Sequence, residues 1–271
     1  MAKKQSIEKH FSDTASVWKN KIYRSKSEQK LFEYFDKQYR FDYVVNMVPA
    51  NDGSKEIRAL DMGCGAGQLI PILSGLGYEP YGVDISDKMI GLTNEQCKKL
   101  NIKANLMIGD CEKLDFPDEF FDLYIAMGVI EYMSSDKPML SEIYRVLKPG
   151  GTAIVTLRNI NCIPIRINYY YKSKIQNSIR NAVKKVVGLP MSTFEEISKE
   201  HDPDEFKKIL QNYSFRVLDE KYCHYHALPL PFSRWLLPIQ TISGKIMEEK
   251  FKDAPKPLLA STYIIKFKKP F

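Results

Sequence analysis

The sequence predicts an α/β protein built on a doubly wound, mostly parallel sheet with helices on both faces. Two observations support this fold class. Between positions 57 and 157, short apolar segments of strand length alternate with helix-like segments, which is typical of repeated β-α-β units. A dense glycine cluster, Asp61-Met62-Gly63-Cys64-Gly65-Ala66-Gly67, lies at the end of the first of these strands. Because glycine has no Cβ, such a loop lets a nucleotide-like ligand approach the backbone closely.

The repeating part predicts five strands and three helices. The strands are Ile57–Met62, Tyr78–Ile85, Ala104–Ile108, Phe121–Met127 and Thr152–Leu157. The helices span 67–75, 87–100 and 135–147; Ser86 or Asp87 caps the second, and Pro149-Gly150-Gly151 stops the third. A later helix at 204–211 and late strands at 215–222 and 262–267 complete the predicted core.

The 271 residues are predicted to form a single domain, because one α/β domain of this size is common. Residues 1 to about 52 are helical in pattern and rich in aromatic residues, and we expect them to pack as a cap over one edge of the sheet. Two insertions interrupt the strand–helix rhythm, at about 159–200 and 223–257. Their position predicts lid-like segments.

The composition is that of an ordinary globular protein, with 44% hydrophobic and 27% charged residues. No apolar stretch approaches the roughly 20 residues that span a bilayer. The lysines near the N-terminus are not followed by an apolar stretch, so no secretory signal is expected. The five cysteines are scattered without a CxxC pair, which argues against structural zinc or disulfides and predicts a cytoplasmic location.

The net charge of +7 is concentrated in one segment. Residues 158–190 contain seven lysines and arginines and no acidic residue. Such a segment suits phosphate, an anionic lipid surface or an acidic substrate, and it is equally compatible with a solvated helix face. Within it, the predicted helix 172–187 is amphipathic. Together with the proline-rich apolar segment 228–239, it predicts peripheral membrane contact as one alternative.

The glycine cluster departs from the dinucleotide fingerprint GxGxxG. The third glycine, Gly67, stands one place early, and Gln68 occupies the position that the fingerprint requires. Asp84 ends the next strand, where a carboxylate can accept hydrogen bonds from both hydroxyls of a ribose. That acid occurs in nicotinamide and in S-adenosylmethionine folds, so taken alone it leaves both ligands open.

The order of the remaining signals carries a resemblance. Asp61 precedes Gly63 by two positions, Asp84 ends the second strand and Gly109-Asp110 ends the third. Phe121-Asp122 opens the fourth strand, and Leu147-Lys148-Pro149-Gly150-Gly151 leads into the fifth. In these features the chain resembles the class I S-adenosylmethionine-dependent methyltransferases, above all the small-molecule branch with quinone-biosynthesis and sugar or polyketide enzymes. The resemblance covers 57–157 well and 204–268 in outline, and it implies a Rossmann-like, seven-stranded, mostly parallel sheet.

The resemblance implies S-adenosylmethionine as cofactor and S-adenosylhomocysteine as product. No metal is predicted, because His224 and His226 have no evident third ligand. Gly63, Gly65 and Gly67 would form the loop beneath the cofactor. The other implied contacts are Asp61 toward the methionine ammonium, Asp84 to the ribose, Asp110 and the backbone N–H of Cys111 to adenine, Ile85 and Met89 as walls of the adenine site, and Met127 beside the methyl group. Asp61 as a loop cap and Asp110 as a helix cap remain structural alternatives.

Methyl transfer from a sulfonium is an in-line displacement, and it needs a base only when the acceptor must lose a proton. Many relatives carry a Glu-His pair after the fourth strand, whereas this chain has Glu131-Tyr132. The candidate catalytic residues are therefore Glu131, His224 and His226, with His201 as a further possible base. His224 and His226 would share one face of an extended strand.

The acceptor is predicted to be a small molecule, lipophilic or anionic, and O- or N-methylation is favoured over C-methylation. The Asn/Asp-Pro-Pro-aromatic motif of enzymes that methylate adenine or glutamine amino groups is absent, because Ala126-Met127-Gly128-Val129 stands in its place. Nucleic acid is therefore not the expected partner. The alternatives are a membrane-associated enzyme acting on a lipid or quinone, an RNA methyltransferase using the basic insertion, a module that only binds the cofactor, and a nicotinamide oxidoreductase.

Overall fold

Seven strands form one sheet in a computed structural model of the chain, which describes residues 2–23, 28–49, 51, 56–171, 199–226, 237–252, 255 and 257–271. The spatial order is β3-β2-β1-β4-β5-β7-β6. β1 to β5 pair in parallel, while β7 runs antiparallel to both β5 and β6. The strands are β1 Ile57–Met62, β2 Tyr78–Asp84, β3 Asn105–Ile108, β4 Phe121–Ala126, β5 Leu147–Arg158, β6 Arg216–Tyr225 and β7 Ala260–Lys268.

Helices connect these strands and flank the sheet. In the described part of the chain they are α1 Ala2–Tyr23, α2 Glu28–Met47, α3 Ile70–Gly75, α4 Asp87–Leu100, α5 Lys137–Val146, α6 Ile163–Tyr171, α7 Pro203–Asn212 and α8 Leu237–Lys250. Two short 3₁₀ turns, Ile130–Tyr132 and Pro257–Leu259, lie after β4 and before β7. The predicted Rossmann-like, mostly parallel sheet is confirmed. Most of the first predicted insertion, at 172–198, lies outside the described residues, as do residues 227–236 of the second, whose remainder includes α8.

Alternate residues of the central strands enter two separate hydrophobic cores. Leu60 of β1 and Tyr124 of β4 point to the core that α5 and α7 cover. Their neighbours Ala59 and Leu123 point to the opposite core, where α2 and α3 pack. Because successive side chains of a strand face opposite sides, strands that are buried in this way require helices on both faces.

The N-terminal helices cover two different parts of the sheet. Val44 and Met47 of α2 are buried, and α2 contacts β6 and β7 at one side of the sheet. In contrast, α1 lies against α4 and α2. The N-terminal segment therefore spreads from the β6 edge to the end of β2, rather than covering one edge alone.

The structure differs from expectation where α5 leads into β5. The helix ends at Val146, and β5 begins at the next residue rather than after the predicted turn. Leu147 pairs with Phe121 and Thr152 with Leu123, so the glycines form an irregularity within the strand. Gly150 permits this because its φ is +77°, and a Cβ there would lie 2.7 Å from the Phe271 ring. By contrast, Ser86 caps α4 as predicted, accepting from the Met89 N–H.

Candidate functional site

A cavity of about 350 Å³ lies at the carboxyl ends of β1, β2 and β4. This edge is where ligands of open α/β sheets bind, because the loops that follow parallel strands converge there. Nine of the ten predicted cofactor residues line it: Asp61, Gly63, Gly65, Asp84, Ile85, Met89, Asp110, Cys111 and Met127. The exception is Gly67. Glu131 also lines the cavity, whereas His224 and His226 do not.

The first glycine of the cluster turns the chain tightly at the end of β1. Gly63 has φ +72°, and its N–H donates to the Val83 carbonyl at 2.7 Å. A Cβ at Gly63 would stand 2.5 Å from Cγ2 of Val129, in the loop after β4. The loop is therefore wedged between β2 and the post-β4 loop, and a side chain there would displace one of them.

Gly67 serves packing against α4. Its φ is +79°, and a Cβ there would lie 2.7 Å from Cγ2 of Thr93. The Thr93 hydroxyl donates to the Gly65 carbonyl at 2.8 Å. Because Gly67 has no side chain, α4 approaches the glycine loop closely enough for the Thr93 hydroxyl to bind the Gly65 carbonyl.

Asp84 holds the loop to the start of α4. One carboxylate oxygen accepts from the Gly65 N–H at 2.9 Å, and the other accepts from the Ser86 N–H at 2.9 Å. Burial raises the pKa of Asp84, and these backbone hydrogen bonds oppose that rise. Since a buried carboxylate with two N–H donors is preorganised, it can present its remaining lone pairs to a ligand.

Asp61 is almost completely buried at the end of β1, with 2% of its surface exposed. Burial, together with the nearby Asp84 charge, raises the pKa of Asp61 from 3.8 to about 7. Two acids share this edge of the cavity, so a cationic group bound between them would favour ionisation of both.

Asp110, at the end of β3, contacts the N-terminal helix. Its Oδ2 accepts from Lys4 Nζ at 2.5 Å, and its Oδ1 accepts from the Glu112 N–H at 2.9 Å. Lys4 also forms an ion pair with the Glu112 carboxylate. The adjacent Cys111 is buried, which raises the pKa of its thiol to about 12, and its Sγ contacts Met133 Sδ at 3.3 Å.

Helix α1 supplies a wall of the cavity, and the residues that form this wall were not predicted from the sequence. Lys4, Ile7 and Phe11 line the cavity from this helix. The Phe11 ring packs edge-to-face on Tyr132 with centroids 5.3 Å apart. No local pattern could reveal this wall, because α1 precedes the first strand and carries none of the motifs that follow strand ends.

Arg40 of α2 is a second residue that was missed. It lines the cavity, and its Nη1 lies 3.2 Å from the position that a Cβ would take at Gly128. Oε1 of Glu131 lies 3.4 Å from the same position. Both side chains therefore converge on Gly128, whose N–H donates to the Thr156 hydroxyl at 2.8 Å.

Glu131 is buried close to the Arg40 guanidinium. Burial raises its pKa, and the charges of Arg40, Arg158 and His201 oppose that rise. A carboxyl in this position can accept a hydrogen bond or a proton from a molecule in the cavity.

His224, in β6, and His226, directly after it, do not line the cavity. His224 has φ +61°, so the strand is not regularly extended there, and its Nδ1 lies 2.8 Å from the Thr262 hydroxyl. Its backbone N–H donates to Glu248 at 2.5 Å. Burial lowers the pKa of His224 well below its usual value and that of His226 to about 4. Both rings are therefore uncharged near neutral pH.

Within the described residues, no group of three His, Cys, Asp or Glu side chains could hold a metal ion. In the same part of the chain, no helix combines the length and the apolar character that a membrane span requires.

Comparison with known proteins places the chain in a family. Residues 60–155 match the family model described as a methyltransferase domain. The chain is also 32% identical, over 182 residues, to a ubiquinone biosynthesis O-methyltransferase of Bradyrhizobium sp. (strain ORS 278). The chain belongs to the class I S-adenosylmethionine-dependent methyltransferases. The residues matched by the family model run from β1 to β5 and so include the three strand ends that bear Asp61, Asp84 and Asp110.

A second relative is a sterol 4-C-methyltransferase of Caenorhabditis elegans, 26% identical over 197 residues. The alignments cover 67% and 71% of this chain for the bacterial and the nematode enzyme, respectively. They cover 66% and 57% of those enzymes, so the chain spans less than two thirds of the length of either.

A solved structure supports the fold. The magnesium protoporphyrin IX methyltransferase of Synechocystis PCC 6803, crystallised with bound SAH, superimposes with a TM-score of 0.64 at 18% identity. The match covers 98% of this chain and 99% of that chain. At this identity the likeness concerns the fold.

Proposed function

We propose that this protein transfers a methyl group from S-adenosylmethionine to a hydroxyl or amino group of a small-molecule acceptor. The observation that carries the proposal is the convergence of Asp61, Asp84 and Asp110, from the ends of three neighbouring strands, on one cavity behind the Gly63 turn. This arrangement supplies acceptors for an ammonium, a ribose diol and an adenine amino group in the order of the cofactor's parts.

The cofactor would lie along this edge with its ribose at Asp84. The adenine would extend toward Asp110 and the backbone N–H of Cys111, between Ile85 and Met89, which both line the cavity. Gly63 and Gly65 would lie beneath the methionine portion. In this arrangement Gly67 acts through its packing against Thr93.

The methionine portion would lie between Asp61 and Arg40. Asp61 suits its ammonium group, and the Arg40 guanidinium suits its carboxylate, because arginine binds carboxylates through paired N–H donors. Met127 and Gly128, at the end of β4, would then flank the methyl group. Glu131 lies next to Gly128 and would orient the acceptor.

S-adenosylmethionine supplies an electrophilic methyl group on a sulfonium. The chain's own task is to hold the acceptor in line with that group, and alignment of this kind lowers a barrier by several kcal/mol, roughly 7 or more where it is ideal. Helix α1 would exclude water from the cofactor, since Ile7 and Phe11 form an apolar wall of the cavity. No covalent bond between the protein and the methyl group is required.

The acceptor class we favour is lipophilic. The named relatives act on ubiquinone precursors or sterols, which are largely apolar. In this chain α6 exposes Ile163, Ile167 and Tyr170 at helical spacing, with exposed fractions of 43%, 48% and 63%. We propose that this stripe contacts the membrane surface peripherally, together with residues 172–187 and 228–239. All of the first segment and most of the second lie outside the described residues.

Calorimetry tests the cofactor assignment. S-adenosylhomocysteine should bind the wild-type protein, whereas NAD at the same concentration should give no binding heat. Asp84→Ala should weaken S-adenosylhomocysteine binding by about 1.5–3 kcal/mol, the range for lost hydrogen bonds to a charged group. Asp84→Asn keeps an acceptor for one of the two backbone N–H groups, so a smaller loss of stability than in Asp84→Ala would separate ribose binding from loop collapse. Binding of NAD without S-adenosylhomocysteine would reverse the assignment.

A screen with labelled S-adenosylmethionine tests the acceptor. It should compare phenols, quinone precursors, sugar nucleotides, lipids and RNA, and label should appear in lipophilic phenols or lipids. Label in RNA alone would refute the small-molecule assignment.

Sedimentation with phosphatidylglycerol vesicles at low salt tests membrane contact, with phosphatidylcholine vesicles as the control. Equal, background-level recovery with both would exclude an anionic membrane partner.

A further inference from the structure

Four acidic side chains line the cavity: Asp61, Asp84, Asp110 and Glu131. The first three follow β1, β2 and β3, where the cofactor would bind. Among them, Asp84 and Asp110 already accept hydrogen bonds from donors of the chain. Glu131 differs because it follows β4, which lies on the other side of β1 from the adenine site. It is therefore placed for a molecule that binds beside the cofactor.

The carboxyl of Glu131 faces the cavity without a partner from the chain. The residue is 9% exposed, and its Oε1 lies 3.4 Å from the position that a Cβ would take at Gly128, beside the proposed methyl group. In the described part of the chain, no N–H or O–H group donates to this carboxyl, and no lysine or arginine forms an ion pair with it. Buried polar groups of folded proteins are nearly always hydrogen-bonded. The missing partner is therefore a molecule that binds in the cavity.

The turn that carries Glu131 is held from both sides. Within the turn, the Tyr132 N–H donates to the Val129 carbonyl at 3.0 Å. From outside, the Lys199 N–H donates to the Glu131 carbonyl at 2.5 Å. Lys199 is fixed in turn, because its Nζ contacts both carboxylate oxygens of Asp136, just before α5, at 3.1 and 2.9 Å. The backbone of Glu131 is thus in place before a molecule binds, which favours a reactive arrangement.

Other groups near this end of the cavity are unsuited to accept a proton. Tyr132 lines the cavity, but burial and the Glu131 charge raise the pKa of its phenol, so it stays protonated near neutral pH. Arg40, the other charged side chain beside Gly128, has only donors. His201, a further base considered from the sequence, does not line the cavity. Glu131 is therefore the proton acceptor that this end of the cavity offers.

We propose that Glu131 is the catalytic base and that it takes the proton of an acceptor hydroxyl during methyl transfer. The proposal rests on the proposed function and narrows the acceptor group to a hydroxyl. As the bond between the hydroxyl oxygen and the methyl carbon forms, the sulfur–methyl bond breaks and its electron pair stays on sulfur. The O–H bond breaks, its electron pair stays on oxygen, and the proton moves to a carboxylate oxygen of Glu131. The negative carboxylate and the positive sulfonium are thereby both neutralised.

A carboxylate in this place suits a hydroxyl better than an amine. A hydroxyl is a poor nucleophile until it loses its proton, so it gains from a base. An amine attacks with its own lone pair, and a carboxylate beside it would favour the unreactive ammonium form. Neutralising two opposite charges is favourable in a buried cavity, where ions are poorly solvated. Burial also raises the pKa of Glu131, which makes it a stronger base than an exposed glutamate.

Carbon NMR tests the base without any acceptor. Glutamate labelled with ¹³C at the side-chain carboxyl reports its protonation, and Glu131→Gln assigns the Glu131 signal. At pH 7.5 with bound S-adenosylhomocysteine, Glu131 should be ionised, and it should titrate at a higher pH than exposed glutamates. A protonated Glu131 at this pH would overturn the proposal. Absence of S-adenosylhomocysteine binding by the wild type would instead refute the proposed function, and spectra of the free protein would still test Glu131.

Two phenols separate a base from an orienting residue. Catechol is protonated at pH 7.5, whereas 4-nitrocatechol is largely ionised and needs no base. At saturating S-adenosylmethionine, Glu131→Gln should lower kcat with catechol by about 10²–10⁴, the usual contribution of a general base, and lower kcat with 4-nitrocatechol less than tenfold. S-adenosylhomocysteine affinity should stay within threefold. Equal losses with both phenols would show that Glu131 only orients the acceptor and would overturn the proposal.

The pH dependence of kcat gives a second readout. A base acts in its ionised form, so wild-type kcat with catechol at saturating cofactor should fall as the pH is lowered through the pKa of Glu131. The fall should begin above the ordinary range of glutamate, about 4.3, because burial raises this pKa. Glu131→Gln should lack this fall. The same fall in the wild type and in Glu131→Gln would assign it to another group and contradict the proposal.

Rescue and control variants complete the test. Glu131→Asp keeps a carboxylate and should retain more catechol methylation than Glu131→Gln, and Glu131→Ala should regain activity when formate is added. Failure of formate to restore a correctly folded Glu131→Ala would contradict the proposal. Glu79→Gln is the matched control, since it removes a carboxylate that pairs with Arg58 at 3.3 Å, at the opposite end of β2 from the cavity. It should leave both rates unchanged.

The outcome does not depend on the choice of phenols. If the wild type methylates neither of them, the compound that takes up label in the acceptor screen replaces them. Uptake of label by a hydroxyl, with a loss of about 10²–10⁴ in Glu131→Gln, would support the proposal. Uptake by amino groups or carbon alone would overturn it and leave the cofactor assignment intact.

Discussion

Lys4 Nζ lies 2.5 Å from Oδ2 of Asp110, which connects the first helix of the chain to the end of β3. The two residues are 106 positions apart in sequence. A second link joins the same helix to the end of β2, where Ser12 Oγ lies 2.9 Å from Ser86 Oγ. One wall of the proposed adenine site is therefore a helix that is bound to the ends of two neighbouring strands.

The burial of Ile7, rather than the Lys4 ion pair, is expected to hold α1 in place. Lys4 is 40% exposed, and exposed ion pairs contribute about 0–1 kcal/mol. Ile7 is 5% exposed, and truncation of a buried isoleucine to alanine costs about 2–5 kcal/mol. Hydrogen exchange should therefore show α1 amides far less protected in Ile7→Ala than in Lys4→Met. A similar loss in both variants would show that the ion pair matters as much as the apolar contact.

Asp61 should make the empty protein less stable as the pH rises. Its folded pKa of about 7 lies above the reference value of 3.8, so between these values the folded state binds more protons than the unfolded state. Stability from this group is complete below pH 4 and lost as the pH rises toward 7, by at most about 4 kcal/mol. Asp61→Asn should raise the melting temperature at pH 8 and change it little at pH 4.

Asp61→Asn should also weaken the binding of S-adenosylhomocysteine. The ammonium group of S-adenosylhomocysteine would favour ionised Asp61, so the wild-type affinity should fall as the pH is lowered from 8 to 6, with proton release on binding. Asp61→Asn should bind more weakly at pH 8 and show a flatter pH dependence. A wild-type affinity that is constant over this range would place the ammonium away from Asp61.

The sheet and most of the cofactor contacts could be predicted because they depend on local order along the chain. Asp61, Asp84 and Asp110 each follow a recognisable strand, and parallel strands bring their carboxyl ends to one edge. Arg40 and Lys4 could not be predicted in the same way. They come from helices outside the repeating pattern, and only tertiary packing decides which residue of α1 or α2 reaches the cavity.

His224 and His226 show where a local sequence pattern gives a wrong prediction. His224 and His226 were candidates because a regular strand would place them on one face. The strand is irregular at His224, since Glu248 binds the His224 and Tyr225 N–H groups from α8 and holds a positive φ. The buried carboxylate that causes this lies 24 positions away from His224. His201, by contrast, owes its position to the bridge with Asn159, which no local pattern encodes.

Gly67→Ala should destabilise the fold by about 1–3 kcal/mol, through its positive φ and a contact with Thr93. Thr93→Ser removes the methyl group that the new Cβ would meet at 2.7 Å. The double variant should therefore recover part of the loss, which a double-mutant cycle of urea unfolding measures. Additive effects would show that strain of the backbone alone accounts for the cost. S-adenosylhomocysteine affinity of the double variant should stay close to that of the wild type.

Arg40 should affect stability and cofactor binding through different partners, and the two effects can be separated. Arg40→Met removes the largest of the charges that oppose the raised pKa of the buried Glu131, so unfolding should require less free energy. Glu131→Gln removes the carboxylate charge that Arg40 stabilises, so the double variant Arg40→Met/Glu131→Gln should regain the lost stability. Binding of S-adenosylhomocysteine should remain about 1.5–3 kcal/mol weaker in both Arg40 variants, because the carboxylate of its methionine portion has lost its partner. If the double variant recovered binding as well as stability, Arg40 would act only through its interaction with Glu131 and would not contact the cofactor.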